Sequence, residues 1–222
     1  MNKKICRCAL VASLLAVSLC CCDLDKDEKE EVQSLQFVTI ESVMPNSMNL
    51  RLDNGELINV ELGESTAATT PAAGTRSIAL YRQSPTPYRL YSIAEVPVET
   101  IETMTDENAD TFGNDSTYYM NLCYTGADYL NVYFSSRSSK KEMKLIHNPD
   151  IESTADTAYL ALRYNANSDN SSANSSKAIS FKLEELRQEG KDSVVIFVDA
   201  KLTDATGKFK NKRYNFIQKW QK

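Results

Sequence analysis

The sequence predicts an all-β protein, a small β-barrel followed by a β-sandwich with one short helix. Three observations lead there. Apolar residues alternate with polar ones in short runs, as they do on half-buried strands. Turn-forming residues punctuate these runs at close spacing. Only residues 181–189 carry helix signals: an acidic start, the Leu183/Leu186 pair, and Gly190 just past the end.

The elements follow in order. Residues 36–43 are β-branched and alternating. Met48, Leu50 and Leu52 share one face of a second strand, and Ile58, Val60 and Leu62 one face of a third. Asp53-Asn54-Gly55-Glu56 lies between them, and Asn-Gly accepts the positive φ angles of a type I′ turn. Residues 63–75 have no large apolar side chain and read as a loop. Strands resume at 77–82 and 88–96, and Pro97 closes the segment. A barrel of about five strands fits residues 35–97.

Residues 98–222 form the second unit. A strand at 98–104 is followed by a polar loop at 105–116 and two tyrosine-rich strands, 117–124 and 129–135. Further strands are predicted at 142–147, 158–164, 194–202 and 214–220, with a second loop at 165–176 and a turn at 204–207. Short strands at regular spacing suggest a sandwich. At 222 residues the chain is long enough for two small domains.

The N-terminus has a different chemistry. Lys3, Lys4 and Arg7 precede an uncharged, mostly apolar stretch at 9–19, too short to span a bilayer and typical of a signal peptide. Leu19-Cys20-Cys21-Cys22 then meets Asp23. A lipoprotein processing site has an aliphatic residue three positions before the acylated cysteine and a small one just before it. Cys22 satisfies both through Leu19 and Cys21; Cys21 is the alternative, with Ser18 in the aliphatic position. Residues 1–21 are therefore expected to be removed, and 22–34 to hold the lipidated cysteine and an acidic tether. Three consecutive cysteines chelate a tetrahedral metal poorly, and no zinc-type spacing follows. The run 23–31 opens like a calcium loop, but Glu28 stands where the loop needs glycine and Ser34 where it needs glutamate. Cleavage before Cys22 would leave Cys123 as the one remaining thiol without a lipid, a buried inert group by default.

Charge narrows the partners. Removing Lys3, Lys4 and Arg7 from the 25 basic side chains leaves 22 against 30 acidic ones. Such a surface repels phosphate backbones, and nucleic acid is not an expected partner.

The order of lipidation site, acidic tether, barrel and sandwich resembles the NigD-like lipoproteins of Bacteroidota. The echoes are Asp53-Asn54-Gly55, the 128–134 segment Asp-Tyr-Leu-Asn-Val-Tyr-Phe, the 159–165 segment Tyr-Leu-Ala-Leu-Arg-Tyr-Asn, and residues 181–186. The resemblance spans about the whole mature chain and rests on pattern more than on unique motifs. It implies an OB-like first domain, a sandwich second domain and no established catalytic residues. It also implies a bacteriocin-immunity role as an alternative function. The acidic run after Cys22 resembles a surface-export signal of the same group, which places the expected site at the outer membrane, cell-surface side, with the periplasmic face left open. Arg163-Tyr164-Asn165 departs from an Arg-His-Asn-like family pattern, which puts any His-dependent role there in doubt.

No catalytic constellation assembles from the residues. His147 stands alone before Asn148-Pro149, without a Gly-x-Ser-x-Gly elbow, a His-Glu-x-x-His pair or a phosphate-binding glycine loop anywhere in the chain. Glu184 and Glu185 read as a solvated face rather than a glycosidase pair. Tyr118, Tyr124, Tyr129 and Tyr133 lie on neighbouring strands and are candidate ligand-facing aromatics, although cross-strand tyrosines more often fill a half-buried sheet. Asp115-Ser116-Thr117, Asp156-Thr157-Ala158 and Asp192-Ser193-Val194 resemble weak O-glycan acceptor strings. The expectation is a non-enzymatic, lipid-anchored envelope protein with no cofactor or metal. Its partners would be the membrane, through the anchor, and an envelope protein or glycan; a hydrolase is the least favoured alternative.

Overall fold

The computed structural model describes residues 32–63, 70–84, 86–113, 115, 117, 119–136, 142–166, 175–203 and 206–220. The expected signal peptide at 1–21, Cys22, the whole acidic run at 23–31, Ser116 and Tyr118 lie outside the described residues.

Five strands close into a barrel in the order β1-β2-β3-β5-β4, with β4 returning to β1. They are β1 (Val32–Val43), β2 (Ser47–Leu52), β3 (Leu57–Leu62), β4 (Arg76–Ser84) and β5 (Tyr88–Glu95). β3 and β5 run parallel and the other neighbours antiparallel, the connectivity of an OB-like barrel. Closure is possible because each strand turns one face inward. Val38, Ile40, Met48, Leu50, Val60, Ala79 and Tyr81 are wholly buried in the lumen, so no central cavity is needed to explain the pattern. β1 begins at Val32, inside the stretch read as tether, because Val32 and Gln33 pair with Ser84 and Arg82.

The chain leaves the barrel and contributes to both sheets of the sandwich in succession. β6 (Val98–Glu99) joins β12 (Ser175–Lys182) in one sheet, and β7 (Ile101–Glu102) joins β10 (Glu142–His147) in the other. The expected strand at 98–104 is thus two short ones, divided at Thr100. One sheet has the order β14-β13-β11-β10-β7 and the other β6-β12-β9-β8. Their remaining members are β8 (Tyr119–Gly126), β9 (Tyr129–Ser136), β10 (Glu142–His147), β11 (Thr157–Asn165), β12 (Ser175–Lys182), β13 (Ser193–Thr203) and β14 (Phe209–Lys219). Leu130, Val132, Phe134, Ile179 and Phe181 from one sheet pack against Leu145, Leu160, Ile196 and Val198 from the other. Barrel and sandwich belong to one unit, Glu31–Lys222.

Three local expectations are corrected. Residues 181–189 do not form a helix: Phe181 and Lys182 end β12, and only a 3-10 turn at Glu184–Leu186 follows. Phe181 and Leu183 are instead pulled into the sandwich core, which a strand satisfies and a solvated helix would not. The short helix is α1 (Ala109–Phe112), whose Phe112 covers Ile146 and Ala161 on the outer side of the five-stranded sheet. Finally, Asp53-Asn54-Gly55 is a three-residue hairpin loop with positive φ at Gly55 alone (88°), closed by Leu52 N–H donating to the Glu56 carbonyl at 2.8 Å. The two-residue loop with both central residues at positive φ is Ala127-Asp128, at 50° and 64° between β8 and β9.

The barrel–sandwich junction and a candidate binding cleft

Two polar sites stand out, one buried and one open. The buried site lies where the barrel meets the outer face of the four-stranded sheet. Arg76 is placed there as the first residue of β4, paired with Thr39 of β1, and Asp53 as the first residue of the β2–β3 loop. Across the sheet, Tyr124, Asn131 and Ser180 form one row over β8, β9 and β12. That row meets the barrel's ion pair. Arg76 Nη1 lies 2.7 Å from Asp53 Oδ1, and Nη2 donates to Asp53 Oδ2 at 2.8 Å. Nη2 also donates to Asn131 Oδ1 at 2.8 Å, while Asn131 Nδ2 donates to Asp53 Oδ2 at 2.8 Å. Ser180 Oγ donates to Asn131 Oδ1 at 2.7 Å. The guanidinium sits 4.8 Å from the Tyr129 ring centroid, a cation–π contact.

A charge withdrawn from water needs such a closed set of partners. The junction also needs close approach. A Cβ on Gly126 would stand 2.6 Å from the Asp53 Cβ, so only glycine lets the β8–β9 hairpin reach the barrel loop. The far side of that hairpin is held by Gln218, whose Nε2 donates to Asp128 Oδ1 at 2.9 Å.

The predicted aromatics are divided by this arrangement. Tyr124 turns toward the barrel: Phe37 N–H donates to its hydroxyl at 3.4 Å, and the Phe37 ring meets its ring edge-on at 6.0 Å. Burial, and then the neighbouring Asp53 carboxylate, push its phenol above the ordinary range. Tyr129 lies under Arg76, and Tyr133 is half-buried further along the same sheet face. A cleft of about 420 Å³ remains beside Tyr124, lined by Leu35, Gln36, Asn54, Leu122 and Thr125 among others. Cys123 points the other way, packed against the sandwich core, and burial pushes its thiol up to about 12.

The open site is on the outer face of the five-stranded sheet. Asp199 of β13 and Arg213 of β14 are register partners. Arg213 Nε and Nη2 donate to the two carboxylate oxygens at 2.7 Å each, and Asn148 Nδ2 adds a third bond at 3.0 Å. The carboxylate holds the guanidinium in its charged form, raising its pKa further. With Asp150, Arg163, Lys201 and Asn211 these residues line a cleft of about 540 Å³. Next to it Tyr159 and Phe197 stack, with centroids 5.2 Å apart and planes 13° from parallel, and the Arg213 guanidinium lies 5.9 Å from the Phe197 centroid. His147 lies elsewhere, with Nε2 2.9 Å from Glu185 Oε1. Among the described residues no group of three His, Cys, Asp or Glu side chains is placed to hold a metal ion.

Neither site was drawn from the sequence. Asn131 and Ser180 occupy positions that alternation assigns to solvent, and nothing local says that a barrel covers them. Asp199 and Arg213 are separated by a turn whose register must be known before they can be paired.

The fold has solved relatives. A protein described as toxin-related from Parabacteroides distasonis superposes with a TM-score of 0.63 at 20% identity, covering 85% of this chain and 94% of that one. A NigD-like immunity protein from Bacteroides caccae gives 0.61 at 19% identity, over 82% and 96%. A lipoprotein from Bacteroides fragilis gives 0.58 at 11% identity, over 86% and 100%. At these identities the likeness shows the fold alone. No curated protein is significantly similar to the chain. Residues 100–214 match the NigD-like C-terminal beta sandwich domain, and this chain therefore belongs to the NigD-like family.

Proposed function

We propose that this chain is a non-enzymatic, lipid-anchored envelope protein that binds a partner through the outer face of its five-stranded sheet. The observation that carries this reading is the cleft around Asp199 and Arg213. Its charges are fixed by their own register and its polar groups converge beside a stacked aromatic pair. The Asp199 oxygens accept three hydrogen bonds, which hold the carboxylate in one orientation within the cleft. The buried junction suits the same role, because it fixes the barrel against the sandwich. A partner would then meet a preorganised surface.

Cys22 acylation would attach this body to the outer membrane, with the acidic run as spacer. The lipoprotein from Bacteroides fragilis among the structural relatives supports the lipid anchor. A binding test uses the intact lipoprotein in native envelopes. Photo-crosslinking from the cleft should trap a discrete partner, and Lys201→Glu with Asp150→Lys should abolish that product without lowering the thermal midpoint. Equal crosslinking by the variant would remove the cleft from consideration. Turnover of any substrate by the purified protein, lost on changing cleft residues, would replace binding with catalysis. Cys22→Ala should release the protein from the membrane fraction, and unchanged fractionation would end the anchor proposal.

A second reading, neutralisation of a bacteriocin, is supported by the immunity protein among the structural relatives. A deletion strain challenged with producers from the same niche should then lose survival that the cloned chain restores.

A further inference from the structure

β14 forms one edge of the five-stranded sheet and is eleven residues long. Its pairing with β13 runs from Ser193↔Lys219 to Thr203↔Phe209 with no bulge. Trp220 N–H donates to the Asp192 carbonyl at 3.0 Å just beyond that ladder. Antiparallel bonding alternates, so the even-numbered residues of β14 spend their backbone groups on β13. Phe209, Asn211, Arg213, Asn215 and Ile217 turn theirs to the edge, and all five are exposed. At Lys219 the carbonyl is taken by Gln218 Nε2 at 3.0 Å, which closes that end of the edge.

Native proteins blunt such edges with short strands, bulges, proline or charge. Here only charge is used. β14 carries Lys210, Lys212, Arg213 and Lys219 and no acidic residue, on a protein whose formal net charge is −5. Positive side chains repel a second copy of the same strand and attract a negative one. Phe209 and Ile217 are 71% and 64% exposed, the most exposed large apolar side chains among the described residues, and they share the outer face with Arg213. An edge of free backbone groups, cationic flanks and two apolar footholds fits an extended peptide. A lipid headgroup uses the charge but has no need of alternating carbonyls.

We propose that β14 is a docking edge for an acidic, extended peptide segment of a partner protein, which adds to the sheet as an antiparallel or parallel strand. This rests on the binding reading above and names its partner chemistry, since Asn211 and Arg213 of the same strand line the cleft.

The test uses the full chain in detergent and a fluorescent peptide of alternating Glu with Val or Thr. Controls are its Lys-for-Glu counterpart and a version N-methylated at alternate residues. The acidic peptide should bind, weaken as salt is raised, and bind about tenfold or more tighter than the N-methylated form. Asn215→Pro removes one outward N–H while leaving every bond to β13, and should weaken binding about as much as methylation without unfolding the protein. Lys210→Glu with Lys212→Glu should reverse the preference toward the lysine peptide. Equal binding of the methylated peptide, preference for anionic vesicles over the peptide, self-association that Asn215→Pro abolishes, or no preference for acid would each overturn the proposal. A cleft-dependent crosslink that survives Asn215→Pro would remove the edge while leaving the binding face intact.

Discussion

Two bidentate Arg–Asp pairs among the described residues sit in opposite surroundings, Arg76 gripping Asp53 end-on through Nη1 and Nη2 and Arg213 gripping Asp199 side-on through Nε and Nη2. Arg76 and Asp53 expose 3% and 10% of their side chains, whereas Arg213 and Asp199 expose 47% and 34%. The first pair lies between two structural layers, and each charge is answered by groups from both: Thr39 and Asp53 on the barrel side, Asn131, Ser180 and the Tyr129 ring on the sandwich side. The second lies on one sheet, spans one ladder step and is open to water. The chemistry is shared, but the consequences differ. Burial turns the fork into a lock whose failure strands a charge, while exposure leaves a weakly stabilising frame suited to recognition.

The sharpest way to break this comparison is to remove the arginine from the lock. Arg76→Met leaves Asp53 buried without its cation, and should destabilise the protein by about 3–5 kcal/mol in urea unfolding. Adding Asp53→Leu should recover much of that loss, because no charge then remains to be solvated. A small effect of Arg76→Met alone would mean that water reaches the junction, and the distinction between the two pairs would fail.

A smaller effect is expected from the spacing of the same junction. Gly126→Ala places a methyl carbon 2.6 Å from the Asp53 Cβ, well inside contact distance. Either the hairpin or the barrel loop must shift, at a cost of about 1–3 kcal/mol. If the substitution is neutral, the two layers are less tightly apposed than the lock requires.

The lock explains why the barrel and the sandwich were legible in the sequence while their union was not. Alternation marked Met48, Leu50, Leu52, Ile58, Val60 and the 142–147 strand, because a half-buried strand writes its own period into the chain. It misread residues 181–189, where Leu183 and Leu186 mimic a helical stripe but Phe181 is held by cross-strand pairing with Leu130. It also missed the start of β14, because Phe209 to Arg213 show no inward apolar face and rely on β13 for their pairing. Tyr124 and Tyr129 were singled out as aromatics for a ligand, and the structure turns both toward the barrel. Those outcomes depend on contacts with residues far away in sequence, Phe37 for Tyr124 and Arg76 for Tyr129, which no local window contains.

The sandwich interior offers a pH-dependent counterpart to the junction. Burial raises the Cys123 thiol from 9.0 to about 12 and the Tyr214 phenol from 10.0 to about 12. Both groups are neutral when protonated, so the folded state favours the protonated form. Unfolded chains release these protons once pH exceeds the ordinary values, and the folded state follows only near 12. Stability should therefore be full below about pH 9 and decline progressively toward about pH 12. Urea midpoints across that window check the slope, and Cys123→Ala should flatten its lower part. Iodoacetamide should label Cys123 slowly in the native protein and readily in urea.

The least disruptive change tests the open pair. Arg213→Ala removes the fork from Asp199, but Asn148 still donates to one oxygen and water has access to the other. The unfolding midpoint should remain within experimental scatter, in contrast to the loss at Arg76. Binding at the cleft should respond differently, because the guanidinium orients Asp199 and lies against Phe197, so its loss loosens two groups at once. A variant with unchanged stability and reduced capture of its partner would show that the exposed pair is kept for recognition. A variant that loses stability as severely as Arg76→Met would show that the five-stranded sheet depends on its surface charge, and the contrast between the two pairs would reduce to position alone.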